Sequence, residues 1–161
     1  MLLHICRWLQ DNAFIALING TAWTAAILEI VHYFSLFILV GSMVIVDLRI
    51  LGLVARRLQA TQLADWLLPW IWISLAFNFL SGFLMFAGSA PSYYNNDVFY
   101  DKMAVVLLAV AANILVLKKI SKWDQLPVTP AWAKLLAVVS ICLWIAAIIA
   151  GVEVPALTNV G

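Results

Sequence analysis

Charge is the scarcest commodity in this sequence. Of its 161 residues only 11% are Asp, Glu, Lys or Arg, against about a quarter in a soluble domain. Nine basic and eight acidic side chains leave a formal charge of +1, so the balance gives no reason to expect a nucleic-acid partner. Histidine occurs only at His4 and His32, and cysteine only at Cys6 and Cys142. The two thiols lie far apart and match no metal or redox spacing. There is no nucleophile motif, no zinc spacing and no glycine loop of the phosphate-binding kind, which argues against a soluble-type enzyme and against catalysis by this chain alone. No internal repeat, low-complexity segment or second domain is visible, so residues 1–161 read as one domain.

What the chain has instead is apolar mass, 66% of its residues, more than a globular core of this size can hide. The solvent is therefore a bilayer. A helix needs about 20 mostly apolar residues to cross the ~30 Å hydrocarbon layer. Spans are expected at about 23–48, 67–88, 103–119 and 135–154, the first continuing as helix to Arg56. Short connections between them imply an all-α, integral membrane, antiparallel four-helix bundle. The first twenty residues mix Leu3, Ile5, Trp8 and Phe14 with His4, Arg7, Gln10 and Asp11. That pattern lacks the clean apolar centre of a signal peptide and predicts an N-terminal amphipathic helix lying in the interface.

Basic residues concentrate in two loops, at Arg49, Arg56 and Arg57 and at Lys118, Lys119, Lys122 and Lys134. By the positive-inside rule these loops are cytoplasmic and both termini lie on the opposite side. Trp66, Trp70, Trp123 and Trp132 would then mark the cytoplasmic boundary, and Tyr93, Tyr94 and Tyr100 the outer one.

The ionisable groups inside the first span are the candidate site. Glu29 and His32 are three residues apart and share a helix face. A carboxylate on one imidazole nitrogen would fix the tautomer and raise the basicity of the other. Such an imidazole suits a haem or other metal ligand, or one step of a proton relay. Ionisable residues in a span are costly and usually functional, so His32 and Glu29 are expected to bind a cofactor, with His32 as its metal ligand. Asp47 and Arg49 read first as a boundary anchor, with the basic loop supplying counter-charges, and second as part of a cytoplasmic-side site. Ser74, Asn78, Ser81 and Asn113 are expected to hydrogen-bond between helices, and Gly41, Ser42, Gly82 and Gly88 to let helices approach. Lys102 is available to pair with Glu29 or Glu153.

The stretch "LEIVHYFSLFILVGSMVIVDLRILGL" resembles the first span of a family of small bacterial four-helix membrane proteins that form a domain of unknown function. The matching pattern is Glu-x-x-His, a small-residue stretch, then Asp-Leu-Arg-x-Leu-Gly, carried by Glu29, His32, Gly41, Asp47, Leu48, Arg49, Leu51 and Gly52. "LLPWIWISLAFNFLSGFLMF" and "NNDVFYDKMAVVLLAVAANILVL" are also similar, so the likeness covers most of the chain. It implies a multi-pass protein of the bacterial cytoplasmic (inner) membrane. A looser similarity, to copper-resistance membrane proteins and b-type cytochromes, implies haem b on a helix-borne histidine. Members of the four-helix family often carry another histidine near the end of span three, which "ILVLKK" lacks. That leaves either a five-coordinate haem on His32, or His4, Met85, Met103 or a partner subunit as second ligand.

Three roles follow. The chain is an accessory or scaffold subunit of the membrane, a haem- or quinone-linked electron-transfer subunit with His32 as ligand, or a proton-coupled transporter element using Glu29 and His32, with Asp47 as a further candidate. Each implies a homo-oligomer or other membrane subunits as partners, besides the lipid.

Overall fold

The computed structural model describes residues 2–94 and 96–158, with side chains at 3–94 and 96–151. The described residues form seven helices and no strand. α1 (Leu2–Gln10) and α2 (Ala13–Asn19) precede α3 (Ala22–Ile50) and α4 (Ala60–Gly88). The short α5 (Ala90–Tyr94) leads into α6 (Asp97–Asp124) and α7 (Ala131–Thr158). Helices α3, α4, α6 and α7 are each long and apolar enough to cross a membrane. At 1.5 Å per residue, α3 and α4 run roughly 43 Å, so their ends reach beyond the ~30 Å hydrocarbon layer. This is a multi-pass membrane protein.

α3 packs most extensively on α4 and α6 on α7, and the two hairpins meet mainly along α3 and α7. Two buried clusters fill the bundle. One joins Val46 and Ile50 of α3, Ala60 and Ala64 of α4, Val116, Ile120 and Trp123 of α6, and Ala133 and Ala137 of α7. It gathers the end of α3 and α6 with the start of α4 and α7, which is the antiparallel arrangement. The other, nearer the middle, surrounds Met43 and Trp144. Alanines line the interior while Phe37, Phe79, Leu107 and Leu135 face outward. That inverted distribution suits a lipid solvent, in which small residues let helices approach and apolar bulk faces the tails.

The boundaries follow from local chemistry. The N-terminal segment is two helices rather than one, because the Asn12 side chain accepts the Phe14 N–H and starts α2 afresh. Both helices dock on the bundle: Gln10 donates to the Gly88 carbonyl at 3.1 Å, and Asn19 to the Leu84 carbonyl at 3.3 Å. Asn19 occupies the space a side chain at Gly88 would fill.

α3 stops at Ile50 and does not continue to Arg56. Gly52, at φ +76°, bonds back to the Arg49 carbonyl, and Leu53 to the Leu48 carbonyl. This is the Schellman closure that a left-handed glycine permits. α4 starts at Ala60 and runs through Pro69. Its own Gln59 provides no cap; instead Asp124, at the end of α6, accepts from Ala60 N (3.1 Å), Thr61 N and the Thr61 hydroxyl (both 2.6 Å). A carboxylate there satisfies orphan donors and complements the positive end of the helix dipole.

The aromatic residues only partly form boundary girdles. Trp66, Trp70 and Trp132 are exposed at the basic end, but Trp123 is buried in the core, edge-on to Trp132. At the other end Tyr93 stacks among Phe86 and Phe99.

Candidate functional site

α3 carries a polar stripe into the bundle: His32, Ser35, Ser42 and Asp47, of which the last three are buried. His32, Ser35 and Ser42 follow helical spacing on the side that meets α4, while Asp47, five residues past Ser42, is turned about 140° further round and stands beside Ser140 of α7.

At the upper end of the stripe, His32 is tied to α4. Its Nδ1 lies 3.2 Å from the Asn78 carbonyl and 3.1 Å from Ser81 Oγ. A carbonyl can only accept, so Nδ1 carries the proton. Ser81 commits its own hydroxyl hydrogen to α4 carbonyls, at Phe77 (2.6 Å) and Asn78 (3.2 Å), and so accepts from the imidazole as well. The Asn78 amide returns a bond to the His32 carbonyl at 3.1 Å, which also accepts from Ser35 at 2.9 Å. Nε2 is left as the lone-pair nitrogen of the ring. Gly82 makes this seat possible, since a Cβ there would stand 3.0 Å from His32 Cε1.

The structure does not bring Glu29 to His32. Glu29 is exposed and its field falls on Tyr93 instead. Burial pushes the Tyr93 phenol above its ordinary range, with Tyr33 and Glu29 adding to the shift. Lys102 does come within electrostatic reach of His32, and its ammonium lies near Gly151 of α7, 3.8 Å from where a Cβ would stand. The side chain of Glu153, the other partner considered for Lys102, lies outside the described residues.

At the lower end of the stripe Asp47 departs furthest from expectation. It is no boundary anchor: its relative exposure is 0%, and neither carboxyl oxygen has a hydrogen-bond partner. Arg49, its expected counter-charge, turns away to donate through Nε and Nη2 to the Leu58 carbonyl. Beside Asp47 stands Ser140 of α7, fully buried, whose hydroxyl bonds the side-chain oxygen of Asn113 on α6 at 2.8 Å. One turn along α7 from Ser140, the buried Trp144 indole N–H is also without an acceptor. Ser140 carried no signal in the sequence; a lone serine in an alanine- and valine-rich helix is unremarkable until the fold places it.

Among the described residues no group of three or more His, Cys, Asp or Glu stands together to hold a metal. The family of unknown function DUF6644 matches residues 7–155. No curated protein and no solved structure matches the chain, and the looser likeness to copper-resistance proteins and cytochromes gains no support.

Proposed function

The chain belongs to the DUF6644 family of unknown function, and within that frame we propose that it is a proton-handling membrane subunit whose exchanging group is Asp47. The observation that carries this reading is the fully buried carboxyl whose one neighbouring hydroxyl, Ser140, is turned to Asn113 and gives it no well-formed hydrogen bond. An ionised carboxylate buried without donors costs several kcal/mol, so the group needs a proton or a cation as its partner. Hydrogen-bond polarity favours the proton. Ser140 spends its only hydrogen on Asn113 Oδ1, so its oxygen is left to accept, and the donor it suits is a protonated Asp47. Rotating the Asn113 amide by half a turn reverses the chain. Its NH2 then donates to Ser140, whose hydroxyl is freed to donate to the ionised Asp47. The same three side chains can therefore serve both states of the acid, which is what a group that takes up and releases a proton requires.

Asp47 lies one turn from the end of α3 that carries Arg49, so the proton exchanges with water at the basic end of the bundle. His32, with Nε2 as acceptor, is the second proton-accepting group of the same helix. The partner subunit or transported species that would couple to this step is of the kind a small accessory element serves, and assembly with copies of itself or other membrane subunits is part of the proposal. The site of action is the bacterial cytoplasmic membrane, with the basic end inside.

The test is infrared titration of the protein in lipid. A carbonyl band of a protonated carboxylic acid should be present in the wild type, shift in deuterium oxide, vanish with pH, and be missing from Asp47→Asn. Proteoliposomes of the same variant should dissipate an imposed pH gradient more slowly than wild type. Identical spectra and identical rates would overturn the reading.

A second reading, electron transfer through haem b or a quinone, is favoured by the His32 tautomer alone. An Nδ1–H fixed on a carbonyl leaves Nε2 suited to a metal. The chain itself offers one histidine at this level, so a second ligand would come from Met85, Met103 or a partner. A visible absorption band lost in His32→Ala would support it, and a colourless protein from native membranes would exclude it.

A further inference from the structure

At the basic end of the bundle, the α3–α4 loop and the α6–α7 loop enclose a polar cleft of about 330 Å³. Its walls include three guanidinium-bearing residues, Arg49, Arg56 and Arg57, together with Trp123, Asp124 and Pro127. We propose that this cleft binds a phosphate ester. It is independent of the buried Asp47 cluster and of the role assigned to it.

Three observations carry the inference. First, three guanidinium groups stand against one carboxylate in the wall, and that carboxylate, Asp124, is turned to two backbone N–H groups and a hydroxyl at the start of α4 and pairs with none of the arginines. The arginines therefore face the cleft with an excess of positive charge. Second, two of the guanidinium groups are held in place by main-chain carbonyls: Arg49 by Leu58, and Arg56 by Gly52. Each uses part of its five-donor fork there, and the remaining donors stay available for the bidentate geometry that phosphate oxygens match. Third, the volume is at the small end of ligand sites, suited to a headgroup rather than to a large cofactor.

The cleft sits where α3 and α6 end, level with the exposed Trp66, Trp70 and Trp132. Tryptophan of this kind marks the headgroup layer, so an anionic phospholipid is the nearest source of such a group. A soluble phosphate is the other.

The experiment titrates delipidated protein in detergent with phosphatidylglycerol, phosphatidylcholine and inorganic phosphate, reading lipid retention by native mass spectrometry and phosphate binding by thermal shift. Arg56→Gln/Arg57→Gln is compared with wild type; both residues are exposed, and the far-ultraviolet dichroism of the variant confirms folding. We expect wild type to retain phosphatidylglycerol in preference to phosphatidylcholine. The double variant should lose roughly thirtyfold in affinity, as two interfacial arginines imply, and added salt should weaken what remains. Stabilisation by inorganic phosphate that the double variant loses, without a lipid preference, would also support the site and assign it to a soluble ester. Equal binding of every probe by wild type and variant would overturn the proposal.

Discussion

His32 and Asn78 are joined twice, each donating from its side chain to the other's backbone carbonyl, at 3.2 and 3.1 Å. This reciprocal pair fixes the register of α3 on α4 at the depth where the imidazole enters the bundle. Hydrogen bonds between membrane helices are individually modest, because the unfolded chain in the bilayer also finds partners. Asn78→Leu removes one bond and leaves the His32 carbonyl to Ser35 alone. We expect it to lower stability by roughly 0.6–1.7 kcal/mol, measured by unfolding in mixed micelles of increasing dodecyl sulfate. A loss within error would mean the pair sets orientation without contributing to stability.

Gly82 is the other half of that seat. A methyl group there would stand 3.0 Å from His32 Cε1, and the ring, held through Nδ1 on two acceptors, has little freedom to withdraw. Gly82→Ala should therefore cost about 1–3 kcal/mol, as overpacking of a filled core does. Combined with His32→Ala, most of that loss should return. An additive double variant would show that the glycine serves another contact.

The α3–α4 loop turns through two left-handed residues, Gly52 at φ +76° and Ala55 at φ +48°. A side chain at Gly52 meets nothing within 4 Å, so Gly52→Ala probes backbone preference without a clash. It should destabilise by about 1 kcal/mol. Ala55→Gly should change stability by less and in the opposite direction, since glycine adopts that conformation without strain. Both are read from the same unfolding transition, and a shift of the same sign in the two variants would contradict the backbone explanation.

Orientation is testable with single cysteines placed in a Cys6→Ser/Cys142→Ala background. Val128→Cys lies in the exposed α6–α7 loop and Ser92→Cys in α5 at the opposite end. The clustering of arginine and lysine predicts that an impermeant maleimide labels Cys at 92 from outside the cell, and Cys at 128 only after the membrane is opened. The reverse pattern would invert the topology.

The four spans, the helical class and the interhelical role of Asn78, Ser81 and Asn113 could be read directly from residue order, because length, hydropathy and isolated polar groups are local properties. Ser74, expected to do the same, bonds carbonyls of its own helix at Trp70 and Ile71. The fate of Asp47 could not be read in this way. Its neighbours Arg49, Arg56 and Arg57 suggested counter-charges, but a guanidinium on the same helix can reach a carbonyl as easily as a carboxylate, and Arg49 chose Leu58. Whether Asp47 is exposed depends on α6 and α7, the nearer of which begins at Asp97, 50 residues further along. Glu29 failed to meet His32 for a related reason: a shared helical face permits contact, while the nearest acceptors for the ring were on α4. Trp123 likewise suited a lipid boundary by type and became core because Ala60, Ala133 and Ala137 left room for it.

Asp124 adds a consequence for how the protein is made. The carboxylate that closes the first turn of the second span lies 64 residues further along the chain. While the ribosome is still producing the third span, the second therefore sits in the membrane with its leading N–H groups served only by water and headgroups. Its final boundary is fixed when Asp124 arrives with the end of α6. Completion of one hairpin is thus recorded in the other, and a chain truncated before Asp124 would carry an α4 frayed at its start, open to the proteases that inspect unfinished membrane proteins.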